Sequence, residues 1–339
     1  MKMNRKRQMV GVILLTLGLV ALGSCVSKKD YLVKVEECEK LSGQLTTLRS
    51  EYDTLEGQKA ALDKQVATLK EDNLKLEEIL QASPSAASQV MMAEKIEGAF
   101  VAKKPMPLVS QEIKGLTVGQ AYEIQAELVK LREDKGEVVM GYFAGLTSAP
   151  TQKRFGVTEP IWGTLCKSML RWPGTLYQKD FVHMVIDTEI GFRFGRDITE
   201  PIEDIKTLKR AVAIVFPAIH VIDPVFTDMK LMALSDLIAA NVGTRKVLIG
   251  KAAKAKDLNA VTVKLVHNGQ EIASGIGKNA LGDQWEALKW TVNDVLARGG
   301  KVKNGYVVLT GVISKMVPAK PGKYLADYGY FGKIEFEYK

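Results

Sequence analysis

Between Tyr31 and Leu80 the apolar side chains recur in alternating steps of four and three. Leu41, Leu48, Leu55, Leu62, Leu69 and Leu76 fall seven apart, at the d position of a heptad. Tyr31, Cys38, Leu45, Tyr52, Lys59, Val66, Asn73 and Leu80 take the matching a positions. A register kept this long predicts a coiled coil rather than a helix packed on its own domain. Asn73 at an a position, with leucine at every d, favours two parallel strands, and Lys59 loosens the seam locally. Fifty helical residues reach about 75 Å. Residues 25–82 therefore read as a stalk that self-associates as a parallel dimer. Cys38 lies in the seam, where an oxidising compartment would cross-link two chains.

The polar and apolar pattern ahead of the stalk is different. Lys2, Arg5, Lys6 and Arg7 precede an apolar run from Met9 to Leu22, too short for an ordinary span. Leu22-Gly23-Ser24-Cys25 follows and resembles a bacterial lipobox. That resemblance implies a signal peptide over 1–24, cleaved before Cys25, whose thiol takes a diacylglycerol. The alternative is an uncleaved anchor helix. Either reading exports the remainder to the bacterial cell envelope and ties it to membrane lipid. After the stalk, Pro84 and the small residues around it predict a linker over 83–95.

Residues 96–339 alternate between helical and strand periods, an α+β pattern richer in strands towards the C-terminus. Helices are predicted over 116–135, behind a Thr117 cap, and over 284–298, with Trp285, Leu288, Val292 and Leu296 on one face. Strands are predicted over 137–144, 246–250, 260–268, 270–275, 306–310, 323–327 and 333–338, with Asn268-Gly269 as a hairpin turn. Ala211–Val221 is a Val- and Ile-rich run with the look of a buried strand.

The stretch Phe181–Arg196 also alternates as a strand does. Its Asp187 and Glu189, two apart, leave the backbone on one face. Among Val185, Ile186, Ile190 and Phe192, two ionised carboxylates would repel, and a divalent cation relieves that because hard cations take carboxylate oxygens. The alternative is an exposed polar face on an edge strand.

Charge narrows the partners. The chain carries 47 Lys and Arg against 39 Asp and Glu, net +8. The leader holds +4, and residues 25–82 hold nine basic and twelve acidic side chains, so the head carries +7. That surplus suits a small anionic substrate or an acidic surface. No dense basic stripe or aromatic platform accompanies it, which argues against nucleic acid. Cys25, Cys38 and Cys166 have neither metal-ligand spacing nor the makings of a disulfide framework.

Several blocks of the head together resemble the 2-keto-4-pentenoate hydratase and 4-oxalocrotonate decarboxylase family, within the fumarylacetoacetase C-terminal-like fold. They include Gly119–Gln125, Gly145-Leu146-Thr147-Ser148, Phe155–Pro160, Trp162–Leu165, Asp187–Asp197, Pro217–Asp223, Ala280-Leu281-Gly282, Val308–Gly311 and Ala326–Gly329. The resemblance implies a lyase of small anionic 2-oxo acids that works with a divalent metal, Mg or Mn. The family's E-x-E ligand pair falls on Asp187 and Glu189, and its later glutamate on His220. An Asp, Glu and His set suits Mn, Fe or Zn better than Mg. Thr147, Thr310 and Asn241 fall on positions that would hold substrate. The chain departs from the pattern where a family lysine gives way to Phe143, acidic residues to Lys167 and Ser168, a serine to Val312 and an aspartate to Ala240. Those changes favour a second reading, a head kept for ligand binding or for assembly in the envelope.

Overall fold

The computed structural model describes residues 27–82, 85–254 and 256–339. The leader and Cys25 lie outside the described residues. One compact unit ends at Gln81, and the other runs from Ala82 to Lys339.

The first unit is dominated by helix α1, Lys28–Ala82. The Ser27 hydroxyl accepts the Asp30 N–H at 3.2 Å and starts it. Leu41, Leu48, Leu55, Leu62 and Leu69 are between 58% and 66% exposed, so the heptad seam lies bare on this chain. Among the described residues, no helix is long and apolar enough to cross a membrane.

The second unit opens with helices α2 (Ala86–Ala102), α3 (Val109–Glu112) and α4 (Val118–Glu133). The stretch expected to be a linker, 83–95, is helical from Ala86. Ser85 caps it by accepting the Ser88 N–H, and burial of Met92, Ala93 and Ile96 holds it in place. A reciprocal capping box fixes the start of α4. The Gln120 N–H reaches the Thr117 hydroxyl, and the Thr117 N–H reaches the Gln120 amide oxygen. Ala121, Ile124 and Leu128 then face the core.

Thirteen strands follow among the described residues. They are β1 (Val139–Gly145), β2 (Ile161–Cys166), β3 (Leu170–Arg171), β4 (Thr175–Leu176), β5 (Val185–Phe194), β6 (Val212–Ile222), β7 (Thr244–Ile249), β8 (Thr262–His267), β9 (Gln270–Ile276), β10 (Val307–Leu309), β11 (Val317–Pro318), β12 (Gly322–Asp327) and β13 (Lys333–Tyr338). Helices α5 (Ala149–Phe155), α6 (Ile205–Ala211), α7 (Leu234–Ala239) and α8 (Gln284–Ala297) interrupt them. Strand β2, fully buried, was not foreseen, because Ile-Trp-Gly-Thr-Leu-Cys carries no alternation.

The larger sheet runs β2-β1-β10-β5-β6-β7-β3, with β11 also paired to β5. Its two margins, β2 and β3, are joined by the single turn Lys167–Met169, so the sheet curls round on itself. A small apolar cluster including Phe143, Leu165, Phe216, Val247 and Leu309 packs apart from the main core. The main core takes Leu288, Val292 and Val295 of α8. A second sheet, β4-β13-β12-β8-β9, contains the foreseen hairpin. Asn268 and Gly269 both take positive φ there, as that tight turn requires.

Strand β5 sits in the middle of the large sheet and is buried on both faces for most of its length. The edge-strand alternative for Asp187 and Glu189 therefore fails.

Candidate metal centre

Strands β5 and β6 pair antiparallel, with Asp187 directly opposite His220 and Glu189 opposite Ala218. Pleating puts Asp187, Glu189 and His220 on one face. One ligand atom from each lies within 4.8 Å of the others. All three are at most 3% exposed.

Neighbours set two of the three side chains. The Gly311 N–H donates to Glu189 Oε2 at 2.8 Å, leaving Oε1 to face His220 Nδ1 at 3.0 Å. His220 Nε2 lies 3.2 Å from the Thr244 hydroxyl. Asp187 differs, because its buried Oδ1 has no hydrogen-bond partner. An orphaned carboxylate oxygen in a dry site is costly unless something positive meets it.

The electrostatics agree. Burial, and then the charge of Glu189, push the Asp187 carboxyl well above its ordinary range. Burial raises Glu189 to about 8, although the Gly311 N–H pulls it back. Burial lowers His220, with Asp187 opposing. Two reluctant carboxylates and a neutral imidazole form a donor set for a divalent cation, whose charge would favour the ionised acids.

The other expected site residues are placed as follows. Thr147 is 3% exposed and its hydroxyl is buried without a partner. A Cβ on Gly311 would overlap the Thr147 side chain, so that hydroxyl stands beside the glycine that fixes Glu189. The Thr310 hydroxyl lies 2.5 Å from Gln284 Oε1 and 3.1 Å from the Ile190 carbonyl. Asn241 closes both polar groups of Thr164, accepting its N–H at 2.6 Å and donating to its carbonyl at 2.9 Å. Both are engaged by the scaffold.

Sequence reasoning missed Gly311, Thr244 and Tyr328. The Tyr328 hydroxyl donates to the Ala218 carbonyl, opposite Glu189, at 2.5 Å. The one sequence signal for Gly311 was its place after Val308-Leu309-Thr310. Phe143 packs its ring against His220 and belongs to the small apolar cluster.

No family model matches the chain. Its sequence is 32% identical over 213 residues to 2-hydroxyhexa-2,4-dienoate hydratase of Comamonas testosteroni, covering 61% of this chain and 80% of that protein. It is 29% identical over 234 residues to the 4-oxalocrotonate decarboxylase of Pseudomonas sp. strain CF600, covering 68% and 89%. The 4-oxalocrotonate decarboxylase of Pseudomonas putida G7, solved with magnesium and adipate, shares the fold at a TM-score of 0.72 and 24% identity. That match covers 76% of this chain and 99% of the other.

Proposed function

Because the chain belongs to the family of 2-keto-4-pentenoate hydratases and 4-oxalocrotonate decarboxylases, we propose that its head is a metal-dependent lyase acting on a small 2-hydroxydienoate or 2-oxo acid. The observation that carries this reading is the buried Asp187, Glu189 and His220 set with its orphaned Asp187 oxygen. A divalent cation held there would neutralise negative charge developing on the 2-oxo acid. Asp187 gives the oxygen that lacks a partner. Glu189 gives the oxygen that Gly311 leaves free, and the Gly311 N–H stops that carboxylate from rotating. Thr244 orients His220 from its far nitrogen, as outer partners of metal-binding imidazoles do. The Thr147 hydroxyl, buried and unpaired, is a donor available to a substrate carboxylate. Thr310, Gln284 and Asn241 hold the walls.

The stalk and leader complete the proposal. The bare leucine seam of α1 supports self-association as a parallel dimer. The charged, apolar and lipobox-like segments ending at Cys25 support an exported, lipid-anchored protein of the bacterial cell envelope.

A specific observation favours a second reading, a head that binds but does not turn over. Phe143 stands against His220 where the family resemblance places a lysine, and phenylalanine moves no proton. One experiment separates the two. The full chain is loaded with Mn, its metal content is measured with and without Asp187→Asn, and a panel of 2-hydroxydienoates and oxalocrotonate-like acids is assayed. Metal lost in the variant, with turnover in the wild type, establishes the lyase. Metal without turnover establishes the binding head, and no Asp187-dependent metal sinks both.

A further inference from the structure

Away from the triad, a cavity of about 460 Å³ opens among α2, α4 and the margin of the large sheet. Six cationic side chains line it against three acidic ones. Surface charges of this kind are usually solvated and carry little meaning, but two of these are not at the surface. The Arg132 side chain is 6% exposed and that of Arg245 10%. Arg132 Nε binds Glu97 at 2.8 Å, and Arg245 Nη2 lies 3.3 Å from Asp223. Asp223 also accepts the backbone N–H groups of Val182 and His183, so its charge is shared three ways.

The two guanidinium groups lie against one ring. Their central carbons are 4.5 Å and 3.4 Å from the centroid of Phe100, which fixes both forks. Arg132 Nη1 and Arg245 Nε nonetheless remain buried without an acceptor. Lys246 adds a third cation to the lining. Burial and then Arg171 lower its pKa, and it donates to the Ser168 carbonyl. Two guanidinium planes fixed on one ring, with Lys246 beside them, give this hollow surplus positive charge that suits oxygen ligands of opposite sign.

We propose that this cavity binds a small dianion through a phosphate or carboxylate group, held by Arg132, Arg245 and Lys246. The site is separate from Asp187, Glu189 and His220, none of which lines the cavity. Neither site depends on the other being functional.

The test uses the full chain in detergent, stripped of metal, titrated calorimetrically with inorganic phosphate and separately with succinate. Saturable binding of either probe is expected, and the probe that binds identifies the oxyanion. Lys246→Gln, on a side chain outside the core, weakens binding about tenfold or more. Arg245→Lys keeps the charge but loses the planar fork and weakens it likewise. Asp187→Asn leaves the titration unchanged. The proposal is overturned if neither probe saturates in the low millimolar range, or if Lys246→Gln binds as the wild type does. Because Lys246→Gln alone can decide, a failure of Arg245→Lys to fold does not protect the idea.

Discussion

The ring of Phe143 stands edge-on to the imidazole of His220, 4.6 Å between centroids and inclined by 61°. Phe143 is 1% exposed, and the neighbouring strand makes room for it at Gly163, where a Cβ would overlap both the ring and the Asn241 amide oxygen. The ring is therefore a fitted cover on the donor set. Phe143→Ala should cost about 3–5 kcal/mol of stability, the usual range for emptying a buried aromatic site. It should also speed metal exchange at the triad. Denaturant titration checks the first expectation, and stopped-flow release of Mn to a chelator checks the second.

Asp187→Asn should abolish metal binding without unfolding the head. Burial and the charge of Glu189 raise the Asp187 carboxyl and so favour its protonated form when no metal is bound, the form that asparagine imitates. The expected result is metal content near zero by atomic emission, with a thermal midpoint in chelator equal to or above that of the wild type. A midpoint that falls by many degrees would mean the carboxylate is ionised without metal.

The metal-free head should lose stability as pH rises. Glu189 is near its ordinary 4.5 when unfolded and at about 8 when folded, and Asp187 is shifted the same way. The folded state then binds more protons than the unfolded state between about pH 4.5 and 8, so unfolding becomes easier across that window. The contribution is fully present below pH 4.5 and gone above about 8. His220, lowered by burial, acts in the opposite sense below its ordinary 6.5. Denaturation at pH 5.5 and 8.5 in chelator measures the fall. Excess Mn should reverse it at pH 8.5, because binding the folded state alone stabilises it and loading displaces the site's protons.

The two described cysteines should react very differently. Cys38 is exposed on α1, whereas burial pushes the Cys166 thiol up to about 11. A thiol reagent at neutral pH should modify Cys38 in the folded protein and reach Cys166 only after unfolding. If the seam of α1 pairs with a parallel copy in register, oxidised wild type should run as a dimer on a non-reducing gel and Cys38→Ser as a monomer.

The long helix α1, the central strand and the carboxylate pair were legible because each has a period. Heptads mark α1, and i, i+2 spacing puts Asp187 and Glu189 on one face. The register that sets His220 opposite Asp187 was not legible, since antiparallel pairing over more than thirty residues leaves no local trace. Strand β2 was hidden for a related reason, because a strand buried on both faces reads like any short apolar run. Gly311 acts through its backbone N–H, and no side-chain pattern announces such a role. The Arg132 and Arg245 pair, more than a hundred residues apart, meets only because α4 and β7 both approach Phe100.

The parallel joint between β1 and β10 sets Gly141 beside Val307, and a Cβ at Gly141 would overlap the Val307 backbone. Close contact there links residues separated by most of the head's sequence. Gly141, Tyr142 and Phe143 must therefore wait, unpaired on that side, until nearly the whole chain has emerged. Pairing at such separation is slow, and the waiting apolar strand is a hazard for self-adhesion. Maturation of this head should thus lean on a holding chaperone more than its modest size would suggest.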